Sequence, residues 1–496
     1  MICGTTSDAG KSLLVTGLCR LYARRGVQVA PFKSQNMALN AYTTRHGGEI
    51  GLAQALQAEA CGLEPDLRFN PVLLKPLGDS RSQVVIMGQP AAVLGAREYH
   101  LGYCERAWEA AREALHQLQR EYALILLEGA GSPAEMNLYR QDIANLRAAR
   151  EARAPVLLVG DIERGGVIAS LAGTLEVLPA EDRPLIKAFA VNKFRGDISL
   201  FDEGRTFLEN RTGRPCLGVI PYAEGLVIPA EDSLGARDFG SGPVRIAVIA
   251  LSHMANFNDF DALADEECRV IFARDPSDLK GVDAIVLPGT KTTLADLKDL
   301  RTKGFEHALV DAVRRGCPVW GICGGYQMLG RRLIGDGIEE RGESEGLGLL
   351  DATTTFSSHK IAFPAEAVVN GHAPGPFATL RGKRLRGYEI HSGTTVVQGP
   401  SPLNVVRRGD QSCAVEDGAT SFEGTVFGSY LHGLCDDPLF RRAFVDWIRS
   451  RKGLPPRRAP ARTGQEIRSE SYDRLADHLE RHLDIPGLEE IIERGI

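Results

Sequence analysis

Gly4-Thr5-Thr6-Ser7-Asp8-Ala9-Gly10-Lys11-Ser12 is the stretch on which the fold turns, and Leu14, Leu18 and Leu21 follow it at helical spacing. A glycine-bearing turn between strand and helix frees main-chain N–H groups to hold phosphate oxygens. On that reading Gly4, Thr5, Asp8 and Gly10 shape a nucleotide cradle. Lys11 then reaches the β- and γ-phosphates, and the Ser12 hydroxyl ligates Mg2+. The spacing is unusual: five residues, where the common loop has four, separate Gly4 from Gly10. Only Met1, Ile2 and Cys3 precede the loop, so either the first strand is truncated or the start lies upstream.

Beyond the loop, short apolar runs alternate with helical patterns, which predicts a mostly parallel sheet covered by helices. The predicted strands are 123–127, 155–159, 188–191 and 216–220. Ligands gather at the carboxyl ends of such strands. Glu128, in Glu128-Gly129-Ala130-Gly131, stands at such an end and suits an Mg2+ ligand or a water anchor; the plainer alternative is a solvent-facing carboxylate. Asp161 closes the next strand, as a site residue or a helix cap. Lys33 and Lys75 either neutralise phosphate or substrate carboxylate, or are surface lysines. The text S-L-G-A-R-D-F-G-S-G-P over 233–243 reads as a linker between a first domain, 1–232, and a second, 244–450. The second has predicted strands at 244–251, 284–287 and 318–322. A basic, proline-rich connector then leads to helical spacing over 470–496, so 451–496 is expected to be a connector and helices that pack back on the body.

The bulk composition excludes several classes. With 496 residues, 43% hydrophobic and 25% charged, the chain suits two or three globular domains. A net charge of −6 offers no basic footprint for nucleic acid. No apolar run approaches a membrane span. The ten cysteines form no C-x-x-C pair, which speaks against zinc or a dithiol site. No signal-peptide pattern opens the chain, so a cytoplasmic location is expected.

The second domain carries Trp320-Gly321-Ile322-Cys323-Gly324-Gly325-Tyr326-Gln327 after a predicted strand. A G-x-C-x-G turn of this kind forces a nucleophile into a tight elbow at a helix N-terminus, where thiolate is favoured. A thiol nucleophile needs a base, and His432 in Gly428-Ser429-Tyr430-Leu431-His432 is the candidate. The oxyanion formed on attack needs main-chain donors, for which Gly289 and Gly324 are suitably placed.

Together these residues resemble the class I, triad-type glutamine amidotransferase domain. In most such domains a glutamate two residues after the base orients it; here Leu434 stands there. Asp436, Asp437 and Glu416 are candidate substitutes, the other option being a Cys–His dyad with low uncoupled glutaminase activity. The phosphate loop, for its part, resembles that of dethiobiotin synthetase. The two in this order, with Lys33-Ser34-Gln35-Asn36-Met37, Asn70 to Lys75, Gly160 to Gly166, Asn192 to Asp197 and Gly387-Tyr388-Glu389-Ile390-His391, resemble the cobyric acid synthase family along essentially the whole chain.

The resemblance implies a fold of two α/β domains: a P-loop-type, mostly parallel sheet domain, then a glutamine amidotransferase-like domain with a C-terminal helical extension. It implies stepwise ATP-dependent amidation of four corrin propionates, at positions b, d, e and g, turning adenosylcobyrinic acid a,c-diamide into adenosylcobyric acid. ATP, glutamine and a corrinoid polycarboxylate are the implied small-molecule partners and Mg2+ the metal. No prosthetic group, nucleic acid or membrane partner is expected, and a homo-oligomer is compatible. Asn192 would read the nucleotide base, unless it is a plain turn residue. Lys33, Asn36, Lys75, Gln327, Glu389 and His391 would contact substrates. The competing readings are an amidotransferase for another acid, such as the corrin a and c acetates or a cell-wall intermediate, and a partition-type nucleotide switch with an inactive second module. A corrinoid carrier using His253 and His391 is a third, with no recognisable cobalamin-binding pattern to support it.

Overall fold

Parallel strands are stable only with both faces covered, so the apolar runs of the sequence sort into sheets walled by helices. A computed structural model describes residues 1–77, 80–229, 237–336 and 340–496 of the chain. Of the linker read over 233–243, residues 233–236 lie outside the described residues, as does residue 232 at the predicted end of the first domain. Two compact units form: Met1–Ala38, Ile50–Leu226 and Ser469–Ile496 make the first, and Leu39–Glu49 with Val227–Arg468 the second. They are therefore not contiguous in sequence. An eleven-residue excursion from the front of the chain groups with the rear, and the last 28 residues group with the front.

In the first unit, Ile2–Gly4, Val156–Asp161, Ile186–Phe194 and Cys216–Pro221 pair in parallel in that order. Val29–Phe32 and Leu124–Leu127 form a second parallel pair, joined to the first group by a bridge between Ile2 and Glu128. The strands are buried almost throughout, which is why they read as unbroken apolar runs. A four-stranded sheet, Gln35–Met37, Val72–Leu77, Arg81–Ile86 and Gln89–Gly95, escaped the sequence reading. Its strands carry polar residues such as Asn36, Lys75 and Gln83 at buried positions, which breaks the apolar signal.

The C-terminal helices do return to the first unit. On Gly464–His482, Asp473 pairs with Arg20 at 2.8 Å and Tyr472 donates to Glu59 at 3.1 Å. Close packing here depends on Gly17: a Cβ at that position would lie 2.6 Å from Leu479 Cδ1 and 2.9 Å from Leu475 Cγ.

The second unit holds the sheet Cys268–Ala273, Val244–Ile249, Ala284–Leu287, Val319–Ile322, Val426–Ser429 and Ala419–Thr420, parallel except at the last pair. Trp320 anchors it, fully buried among Phe260, Phe427, Phe440 and Phe444. A second sheet, built on the long antiparallel pair Ala352–Val369 and Arg384–Val397, also went unread. Burial alternates only at the ends of Arg384–Val397, while Tyr388, Glu389, Ile390 and His391 are buried in succession and mix polar with apolar residues. Among the described residues no helix is long and apolar enough to cross a membrane.

Replacing Gly17 by Val is expected to push the two helices apart and lower stability by about 1–3 kcal/mol. A urea unfolding midpoint unchanged from the parent chain would contradict this packing.

Candidate functional site

Two clusters of chemistry-bearing side chains form, one in each unit. In the first, the helix Lys11–Arg24 starts from Gly10, whose φ is 90°, and Asp8 is also left-handed at 59°. The loop thereby curls around Lys11, whose Nζ donates to the carbonyls of Thr6 at 3.0 Å and Gly131 at 3.2 Å. Thr5 is tied to the sheet through its N–H on the Val159 carbonyl. Asn192 donates from Nδ2 to the Ala9 carbonyl at 2.9 Å, so its amide braces the phosphate loop.

Glu128 is the hub of this cluster. It follows the Leu124–Leu127 strand, is 1% exposed, and receives three side chains. Ser12 Oγ and Lys33 Nζ each donate to Oε1 at 2.8 Å, and Gln57 Nε2 donates to Oε2 at 2.6 Å. The solvent-facing alternatives for Glu128, Lys33 and Lys75 are thus overturned: all three are buried, because a carboxylate out of water needs charge and hydrogen bonds around it. Lys75 sits on the Val72–Leu77 strand opposite Gln83, and Asn36 donates to Gln54 at 3.0 Å. Asp161 accepts from Glu163 N and from Lys193 Nζ, the latter at 2.9 Å. The Ser12 hydroxyl and Glu128 carboxylate are adjacent hard oxygen donors, a set that fits Mg2+.

In the second unit Cys323 ends the strand Val319–Ile322 and caps the helix Gly324–Leu329 with φ 50° and ψ −107°. A non-glycine residue held there stores roughly 1–3 kcal/mol of strain. The surroundings hold it: its N–H donates to the Ser429 carbonyl at 2.9 Å and its carbonyl accepts from Gln327 N at 3.0 Å. The thiol is 7% exposed and points at the Ile390 carbonyl, 3.4 Å away. The sulfur is near enough to the His432 ring to raise its basicity. Gly289 admits the imidazole, since a Cβ there would stand 2.7 Å from His432 Cε1. Gly324 opens the helix against Thr290, and first-turn N–H groups have no partner within a helix.

The orienting carboxylate is Asp259, which the sequence reading missed. Its Oδ2 lies 2.7 Å from His432 Nδ1, and its Oδ1 accepts from Gly433 N at 2.7 Å. Asp259 lies on the 3-10 stretch Phe257–Asp265, beside Phe260 and its contact with Trp320. The three substitutes considered from sequence are engaged elsewhere. Asp436 pairs with Arg468, Asp437 caps the helix Pro438–Arg451, and Glu416 is exposed on the strand Gln411–Asp417. The sequence signal that could have found Asp259 is its place beyond the carboxyl end of the strand Val244–Ile249.

Burial alone would lower the pKa of His432. The Asp259 charge and hydrogen bond, followed by the Cys323 sulfur, outweigh it and raise the ring from 6.5 to about 10. Because the folded value lies above the unfolded one, the pair stabilises the fold fully below pH 6.5, and that contribution is lost as pH rises through about 10.

Gln327, Glu389 and His391 are buried and engaged with other side chains. Gln327 accepts from Thr293 Oγ1 at 3.0 Å and donates to Tyr430 at 3.2 Å. Burial pushes the Glu389 carboxyl up, but His391 and Arg408 outweigh it and keep it below its ordinary value. Arg408 holds that carboxylate at 2.6 and 2.8 Å, and the His391 ring stacks on Tyr430. His253 pairs with Asp296 at 2.7 Å.

Replacing Asp259 by Asn should lower glutamine hydrolysis by about 10²-fold or more. It should also move the alkaline limb of its pH profile below that of the parent chain, because the imidazolium loses its counter-charge. A pH–rate profile coinciding with that of the parent would refute the assignment of Asp259.

Residues 1–234 match the CobQ/CobB/MinD/ParA nucleotide binding domain, and residues 245–440 match the CobB/CobQ-like glutamine amidotransferase domain. The chain is 46% identical to a cobyric acid synthase of Pelotomaculum thermopropionicum, over 98% of this chain and 94% of that protein. It is 47% identical to a probable cobyric acid synthase of Methanosphaerula palustris, over 98% of this chain and 97% of that one. A cobyric acid synthase of Salmonella heidelberg is 43% identical over 100% of this chain and 98% of its own length. With nucleotide-binding and amidotransferase domains in this order and similarity along its whole length, the chain belongs to the cobyric acid synthase family.

Proposed function

We propose that the chain amidates the b, d, e and g propionates of adenosylcobyrinic acid a,c-diamide, using ATP to activate each carboxylate and glutamine to supply ammonia. The observation that carries this reading is the line Cys323–His432–Asp259 in the same chain as a phosphate loop whose Ser12 meets Glu128. A partition-type switch has no use for a strained thiol beside an imidazole that is itself oriented by a carboxylate.

A carboxylate is a poor acyl donor because oxide would have to leave. In the activating step one of its oxygens attacks the γ-phosphorus of ATP, the bond to the β-bridging oxygen breaks, and ADP leaves an acyl phosphate. Lys11 offsets the charge on the transferring group. Mg2+, for which Ser12 and Glu128 are the candidate ligands, neutralises phosphate charge when bound. Lys33 donates to the same carboxylate oxygen as Ser12, so a cation and a hydroxyl meet there. Ammonia then attacks the acyl carbon, phosphate leaves, and a proton is lost to give the amide.

The ammonia comes from the second unit. The Cys323 sulfur attacks the glutamine carboxamide carbon, and N–H groups of Gly289 and Gly324 take up the oxyanion. The protonated His432 ring gives its proton to the departing nitrogen. Water, deprotonated by the now neutral ring, cleaves the thioester to glutamate and frees the thiol. Asp259 holds Nδ1 protonated, so Nε2 is the atom that exchanges protons with sulfur and substrate.

Mass spectrometry of the corrinoid product, with ATP and glutamine supplied, is expected to show four replacements of hydroxyl by amide. A product amidated at the a and c acetates only would refute the substrate. Cys323→Ala should abolish glutamine-fed synthesis and leave ammonium-fed synthesis intact. Lys11→Ala should remove synthesis from both nitrogen sources, and retention of the ammonium-fed reaction in that variant would contradict the phosphate-loop role.

A further inference from the structure

The excursion Leu39–Glu49 is encoded inside the nucleotide-binding half yet groups with the second unit. It is fixed there at both ends. Gly48 donates from its N–H to the Ala362 carbonyl at 3.0 Å, and Glu49 pairs with Lys360 at 2.5 Å, both side chains buried. At the other end Asn40 and Asn256 exchange main-chain support. Asn40 Oδ1 accepts from Asn256 N at 2.7 Å, and Asn256 Oδ1 accepts from Ala41 N at 3.0 Å. Asn256 stands in the left-handed region at φ 54° and caps the 3-10 stretch that carries Asp259. Between these anchors, the Tyr42 ring lies 4.7 Å from that of Tyr388. Tyr388 in turn stacks on His432 at 5.3 Å and 18°. Two main-chain hydrogen bonds, Tyr388 N to the His432 carbonyl at 3.1 Å and His432 N to the Tyr388 carbonyl at 2.8 Å, lock the stacked pair.

His432 is thus approached along two routes that both start in the excursion. One runs from Asn40 through Asn256 and the capped turn to Asp259 and Nδ1. The other runs from Tyr42 through the Tyr388 ring to the imidazole face. We propose that Asn40 and Tyr42 are positioning residues of the glutamine-hydrolysing centre, supplied by the nucleotide-binding part of the chain. The inference rests on the reading of Cys323 and His432 as the hydrolytic pair. Neither residue touches the reacting atoms. Each restricts an intermediary, and the intermediaries restrict the ring to the plane in which Nδ1 meets Asp259. A ring free to tilt loses that alignment, and small misplacements of a proton-transfer group are costly in rate.

The test uses the full chain with Tyr42→Ala, Asn40→Ala and Tyr42→Phe, assayed for glutamine hydrolysis across pH and for ammonium-fed amidation. Both alanine variants are expected to lose tenfold or more in kcat for hydrolysis, with KM for glutamine changed less than threefold. The alkaline limb should shift to lower pH as the ring's contact with Asp259 loosens, while ammonium-fed amidation stays within twofold of the parent. Tyr42→Phe, which keeps the aromatic face, should restore kcat to within threefold. Should the alanine variant fail to fold, Tyr42→Leu fills the same space without an aromatic face and should show the same loss. Unchanged hydrolysis in these variants would overturn the proposal. So would a loss shared equally by both reactions and not rescued by Phe, since that is ordinary structural damage. Cys323→Ala is assayed in parallel: continued hydrolysis there would overturn the underlying hydrolytic-pair reading, which failure of the Tyr42 and Asn40 variants alone leaves standing.

Discussion

A carboxylate taken out of water costs several kcal/mol unless opposite charge and hydrogen bonds meet its oxygens, and that constraint organises both centres. Glu128 is buried, and the donors gathered on it come from three separate places in the sequence: Ser12 of the loop, Lys33 and Gln57. Asp259 is buried against His432 and Gly433 N. In each case meeting the cost of burial also orients the neighbouring side chain. Ser12 is turned toward Glu128 because the carboxylate needs a donor, and His432 is held charged because Asp259 needs a cation. Breaking either set leaves a charge stranded, which is why these contacts hold geometry better than exposed ion pairs do.

Much of this was legible in the sequence, for a definite reason. Elements that supply both a period and a turn signal declare themselves: the loop at 4–12, the strands ending at Glu128 and Asp161, and the elbow at Cys323 each couple an apolar run to glycine at a fixed offset. His432 was found because a thiol nucleophile requires a base after a strand end. Asp259 was not, because its pairing spans 173 residues and its own stretch is 3-10 helix without a strand or helix period. With Leu434 where a carboxylate is usual, the sequence leaves Asp436, Asp437, Glu416 or a bare dyad as readings, and none of these is Asp259. The buried polar strands 35–37 and 72–77 were invisible for the opposite reason, since their burial is satisfied by partners that spacing does not encode.

Strain at Cys323 and the close approach at Gly289 are complementary. The elbow thrusts the sulfur toward the imidazole only if the backbone at residue 289 leaves the ring its space. Gln327, on the helix that Cys323 opens, is joined to Thr293 and Tyr430, and Glu389 and His391 are joined to Arg408, Gly393 and Tyr430. Such a network resists the relaxation that would otherwise release about 1–3 kcal/mol of backbone strain. The main-chain bonds of Cys323 to Ser429 and Gln327 hold the elbow in that conformation.

The compact unit around Cys323 and the stretch that matches an amidotransferase domain are different objects. The match covers 245–440, whereas the unit adds Leu39–Glu49 from the front of the chain. Two chains of contacts from His432, through Tyr388 and through Asp259 and its turn, reach that added segment. The segment's flanks in sequence, Lys33 and Gln57, both end on Glu128. A chain that releases ammonia before an acid has been activated wastes glutamine, so the two reactions have reason to be tied. Here the tie is covalent and short: the residues that steady the histidine are strung between the two that steady the carboxylate beside the phosphate loop.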